Sequence, residues 1–171
     1  MGRAHTTASN IDLAITWRLR TSWRAVPLLR TVAHHVASAE GFRTGQLSIA
    51  VVGARAMATL HKRYMNLPNP TDVLTFDLGT DRHHGVLDAE IVVCADVARR
   101  QARRRQKTLA AARHELALYV VHGLLHLAGY DDHTPADFSR MHAREDELLT
   151  ALGLGAVFCA ASGSSSDRSP K

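Results

Sequence analysis

Two histidines four residues apart, set in an apolar run, constrain this chain more than any other feature. The segment from Val121 to His133 reads V-H-G-L-L-H-L-A-G-Y-D-D-H. On a helix His122 and His126 stand one turn apart on the same face. Leu116, Leu118, Tyr119, Val120, Leu124, Leu125 and Leu127 surround them on most sides, so the helix predicted over 109–127, with Thr108 at its N-cap, belongs in the centre of a fold. Imidazoles there need polar partners, because a buried polar group without one is costly. Two core histidines with satisfied ring nitrogens would meet that need, and so would one metal ion held by both. Gly129 stops the helix, since glycine accepts a left-handed backbone. The returning chain carries Tyr130, Asp131, Asp132 and His133, and this many ligand types within seven residues favours the metal. The expectation is a three-point site with one position left for water. The residue after His122 is Gly123, where a zinc-protease helix carries its general-base glutamate, so peptide hydrolysis is not expected.

The run H-G-L-L-H-L-A-G-Y-D, His122 to Asp131, resembles the signature of the YbeY family of single-strand endoribonucleases. That signature reads H-G-x-L-H-L-x-G-Y-D-H, then eight residues, then Met. A second stretch, P-T-D-V-L-T-F from Pro70 to Phe76, is similar to the family's P-T-D-V-L-S-F strand, and the strand carrying Ala89-Glu90 corresponds to its G-D-I-x-I strand. The resemblance implies a zinc-dependent enzyme that matures the 3′ end of small-subunit ribosomal RNA and serves ribosome quality control. It implies one Zn2+ ion and a catalytic metal set of His122, His126 and the residue at 132. Here that residue is Asp132, where the family has histidine. Met141 keeps the family's spacing from Asp132, so the aspartate reads as a substitution. His133 is then an extra neighbour and the alternative third ligand. The family also has an arginine directly after the tyrosine of the preceding loop, and here that position is Met65.

Charge points to the same class of partner. The formal net charge of +5 favours polyanions. A helix expected over 95–107 carries Arg99, Arg100, Arg103, Arg104, Arg105 and Lys107 with few acidic residues at helical spacing. A solvated face is the plain account of such a row. Guanidinium groups without carboxylate partners also suit RNA phosphates, which arginine meets two-pronged. Among polyanions, the resemblance implies single-stranded ribosomal RNA and the small ribosomal subunit as partners, with no membrane and no DNA expected. The N-terminal stretch lacks the apolar run of a signal peptide, and no segment is long enough to span a bilayer. Cys94 and Cys159 fit no metal or redox spacing and read as small apolar fillers. The protein is expected in the cytoplasm.

Taken in order, the chain alternates strand and helix patterns. Strands are expected over 11–17, 47–52, 71–76 and 87–94, and helices over 28–40, 54–64, 95–107, 109–127 and 134–152. This predicts an α+β domain with a small mixed four-stranded sheet and a metal-binding central helix. That domain would occupy 11–158, between a flexible N-terminus at 1–10 and a disordered polar tail at 159–171. The expected reaction is metal-assisted hydrolysis of a phosphodiester, with water or the RNA 2′-hydroxyl as nucleophile and Asp131, His133 or Glu115 as proton acceptor. A ribosome-assembly factor with a structural metal is the rival reading, and a metalloprotease the weaker one.

Overall fold

The computed structural model describes residues 10–105 and 108–157. Of the N-terminus expected to be flexible over 1–10, residues 1–9 lie outside the described residues, as do Lys107, Cys159 and the polar tail, whereas Asn10 opens the first strand, its N–H donating to the Arg43 carbonyl. Contacts divide the chain into two compact units, Met1–Gly129 and Tyr130–Lys171.

The first unit is built on four strands: β1 (Asn10–Trp17), β2 (Thr44–Val52), β3 (Val73–Asp77) and β4 (Val86–Cys94). Their order across the sheet is β1-β2-β4-β3. β1, β2 and β4 run parallel, and β3 is antiparallel on the outer edge beside β4. The two central strands end in I-A-V-V and I-V-V-C, with all eight residues buried. Continuous apolar runs of this kind belong to strands covered on both faces.

Register sorts the side chains. Leu47, Ile49 and Val51 pair with Ala89, Ile91 and Val93, and the last two pair with Thr75 and Val73 on β3. This face carries helices α1 (Val26–Ala39) and α4 (Leu109–Leu127). The opposite face presents Ala50, Val52, Glu90, Val92, Leu74 and Phe76 by the same alternation. Helices α2 (Ala54–Met65) and α3 (Ala95–Arg105) complete the unit.

Helix α4 is the spine. Thr108 caps it, its Oγ1 accepting a hydrogen bond from the Ala111 N–H at 3.1 Å, worth about 1 kcal/mol. Thirteen of its residues are buried, including Leu116, Val120, Leu124 and Leu125 with no exposed surface. Burying each such leucine stabilises the fold by about 1.5–3 kcal/mol. The helix ends at Leu127, and Gly129 takes φ +95° just beyond it. That value lies in the region glycine occupies most readily.

The second unit contains helix α5 (Pro135–Ala151). Thr134 caps it by accepting from the Asp137 N–H, and Pro135 opens it, as the sequence predicts. Met141, Leu148 and Leu149 are buried on this helix. Glu145 is buried too and pairs with His142 Nδ1 at 2.5 Å, while Asp146 accepts from the Val157 N–H.

Gly123 lets α4 approach the sheet. A Cβ there would meet Thr75 Oγ1 at 2.8 Å and two methyl carbons of Ile91 at 3.2 and 3.3 Å. Overpacking costs about 1–3 kcal/mol, and the helix propensity of alanine returns about 1 kcal/mol. Gly123→Ala is therefore expected to lower the melting temperature, and Gly123→Val to lower it further. A rise in melting temperature for the alanine variant would show that the helix does not sit this close.

Candidate metal centre

The last turns of α4 carry His122 and His126 out of the core at the edge of the sheet. Sequence reading expects both to be buried, but both are only partly so. They open onto a pocket of about 340 Å³ that Met65, Thr75, Asp77 and Leu127 also line. The strand beneath explains the exposure. β3 is the outermost strand, and among the described residues no strand lies beyond it, so the pocket opens along it from Val73 to Asp77.

The two rings meet edge to face, with centroids 4.6 Å apart and an interplanar angle of 85°. Their Nε2 atoms are 3.0 Å apart. Two nitrogens on one tetrahedral zinc, each about 2.0–2.1 Å from it, would be about 3.4 Å apart. The convergence of two imidazole nitrogens at nearly that separation fits a divalent ion of the zinc type, and soft rotation of either ring closes the difference.

Asp77 completes the pocket's polar lining, where sequence reading places no site residue. That reading ends the strand at Phe76 and assigns Asp77 to a polar loop. The strand in fact continues through Asp77, and alternation from Val73 and Thr75 turns Asp77 towards the histidines. Its Oδ1 accepts hydrogen bonds from the N–H groups of Thr80 at 2.8 Å and Gly79 at 3.1 Å. The Thr80 bond foremost, with smaller help from Gly79 and the Arg82 charge, holds this carboxyl below its usual range. Asp77 is thus ionised at neutral pH.

Two further sequence readings change. Glu115, a candidate proton acceptor, lies seven residues before His122, about 10 Å back along the helix axis. It is buried there and interacts with Tyr119, whose hydroxyl burial pushes to a much higher pKa, and it does not line the pocket. Met65, set aside because it replaces an arginine, does line the pocket, and more than half of it is exposed.

Within the second unit, Asp131, Asp132 and His133 bring ligand atoms within 4.8 Å of one another. His133 Nδ1 pairs with the Asp131 carboxylate, and the Asp132 N–H donates to the same Asp131 oxygen at 2.8 Å. That pairing holds Asp131 below its usual pKa and raises that of His133.

The basic helix also takes shape. Asp96, Arg99, Arg100, Arg103 and Arg104 line one depression of about 390 Å³. Asp96 is engaged elsewhere, its Oδ2 accepting from the Ala54 N–H at 2.8 Å at the start of α2. The four arginines form no ion pair among the described residues. Cys94 is buried, and burial raises its thiol pKa, in keeping with an inert filler.

The family model described as Endoribonuclease YbeY matches residues 18–153. The chain belongs to the YbeY family. It is 40% identical over 126 residues to Endoribonuclease YbeY of Anaeromyxobacter sp. (strain Fw109-5), covering 74% of this chain and 64% of that relative. To Endoribonuclease YbeY of Mycolicibacterium smegmatis (strain ATCC 700084 / mc(2)155) it is 40% identical over 113 residues, covering 61% of this chain and 62% of that relative. The matches thus span a little under two thirds of the length of these YbeY relatives. The solution structure of TM1509 from Thermotoga maritima shares the fold, with a TM-score of 0.55 and 24% identity over 92% of this chain and 97% of that one.

Proposed function

We propose that this chain is a metal-dependent endoribonuclease that hydrolyses phosphodiester bonds in single-stranded RNA. The observation that carries the reading is the pair of Nε2 atoms, 3.0 Å apart, facing an open pocket at the sheet edge. Membership of the YbeY family supports it, and so does the name of the relatives. His122 and His126 are proposed to hold one zinc ion. Asp132 is proposed as the third ligand, with His133 as the alternative. Asp132 stands three residues beyond the left-handed Gly129, at the spacing the family uses for its last ligand. A carboxylate is an ordinary zinc ligand.

When bound, zinc supplies a Lewis acid that lowers the pKa of water and draws charge from phosphate oxygens. The chain's own groups set up the rest. The ionised Asp77 accepts a hydrogen bond from the nucleophile and orients it, whether that is water, which displaces the leaving oxygen to give a phosphomonoester, or a 2′-hydroxyl, which displaces the 5′-oxygen to give a 2′,3′-cyclic phosphate. The Asp131–His133 pair is the second candidate for moving a proton. Gly123 leaves no space for the glutamate of a zinc protease, which favours phosphodiester over peptide hydrolysis.

Arg99, Arg100, Arg103 and Arg104 are proposed to hold the RNA backbone without reading sequence. The intended substrate is the 3′ end of small-subunit ribosomal RNA, with the small ribosomal subunit as partner and the cytoplasm as location. No helix among the described residues is long and apolar enough to cross a membrane. Met65 in the pocket favours one second reading, an assembly factor whose metal is structural, because a thioether offers phosphate no charge.

Cleavage of a single-stranded RNA oligomer, with casein digestion alongside, separates these readings. Zinc-loaded protein is expected to cut the RNA and leave casein intact, and a chelator is expected to abolish cutting. Intact RNA with retained zinc would leave the assembly reading in place. Replacing Arg100, Arg103 and Arg104 by glutamine is expected to weaken binding to unrelated RNA sequences alike. The slope of log affinity against log salt should flatten by about 0.7 for each phosphate that is no longer neutralised. An unchanged slope would return the row to a solvated face.

A further inference from the structure

We infer that the sheet face opposite the histidine pocket carries a nucleobase-binding groove for the same RNA strand, a reading that rests on the proposed action on single-stranded RNA. The groove has a volume of about 300 Å³, and Arg18, Leu60, Tyr64, Phe76, Leu78 and Glu90 line it. It uses side chains that the metal centre does not. On β3 and the residue after it, Thr75 and Asp77 line the histidine pocket, while Phe76 and Leu78 line the groove. Phe76 and Asp77 are sequence neighbours, so a single strand's thickness separates the two. That strand is the edge of the sheet, and one extended polynucleotide can lie across it with a base on one side and a phosphate on the other.

The chemistry of the lining selects the occupant. Tyr64 and Phe76 meet edge to face with centroids 4.9 Å apart, and Tyr64 is 53% and Leu78 63% exposed. Such a surface suits the flat, apolar face of a base, and stacking on aromatic side chains is the common means of holding single strands without sequence preference. The guanidinium of Arg63 lies over the Tyr64 ring, 5.6 Å from its centroid, and Arg18 lines the groove. Both can meet phosphate oxygens of a strand whose base lies on the ring. Glu90 is half-buried on the groove wall and offers an acceptor to an exocyclic amino group or ring N–H of the base. Aromatic rings, two cations and one carboxylate acceptor match a nucleotide more closely than an apolar peptide, which would leave the cations unused.

The test uses a short single-stranded RNA with 2-aminopurine at successive positions, bound to the full chain in chelator so that it is not cut. Wild-type protein is expected to quench one position strongly by stacking. Tyr64→Leu combined with Leu78→Ser is expected to remove that quenching and to weaken binding about tenfold, with melting temperature and zinc affinity unchanged. An abasic nucleotide at the quenched position should weaken binding to wild type but not to the variant. Leu78→Ser alone, at the more exposed position, serves if the double variant does not fold. Equal quenching and affinity in variant and wild type would overturn the inference and leave the groove to a protein partner. If wild type cuts RNA while the variant binds and cuts as well, only the groove is wrong. If quenching depends on the groove but wild type does not cut, the groove stands and the nuclease reading falls.

Discussion

The approach of helix α4 to the sheet governs everything else in the first unit. A glycine at 123 brings the helix backbone against Thr75 and Ile91, and buried leucines hold it there. The two histidines flank that glycine, one just before it and one three residues beyond. Their positions are therefore fixed by packing that involves no polar chemistry. A pair of ring nitrogens held by a rigid helix is a better ligand set than one held by loops, because little order remains to be imposed on binding.

The edge position of β3 is the second constraint. With no strand beyond β3 among the described residues, the histidine pocket opens along it, while the groove on the other face runs from Phe76 onto Glu90 and Val92 of β4 and Ala50 and Val52 of β2. As the last strand, β3 offers Thr75 and Asp77 to one face and Phe76 to the other. The same residue alternation that builds the sheet thus distributes polar and aromatic groups to two surfaces. The ionised Asp77 owes its state to the turn that follows it, where the N–H groups of Gly79 and Thr80 converge on its carboxylate.

Much of this is legible in the sequence because it rests on local signals. Thr108 and Gly129 bracket α4 at the predicted residues, and Thr134-Pro135 opens α5. The mixed four-stranded sheet follows from four short apolar runs separated by helical patterns. What could not be read depends on register. Asp77 looks like the first residue of a polar loop until its pairing with Ala89 extends the strand. Met65 and Glu115 exchange standing for the same kind of reason: the end of α2 reaches the pocket, whereas a helix position seven residues from His122 does not. The exposure of the histidines is also hidden, since the apolar run around them does not reveal that the sheet stops beneath. Among the basic residues, sequence supplies the row of arginines, but only the fold shows four of them lining a single depression.

Zinc affinity measured across four chains tests the metal centre most directly: wild type, His122→Ala, Asp132→Ala and His133→Ala, each titrated against a chelator of known affinity. The expected result is one zinc per wild-type chain, loss of binding in His122→Ala and Asp132→Ala, and affinity within about tenfold of wild type in His133→Ala, as for a residue that only supports a ligand. Undiminished zinc binding by His122→Ala would contradict it, because the paired nitrogens on α4 would then not be where the metal is held.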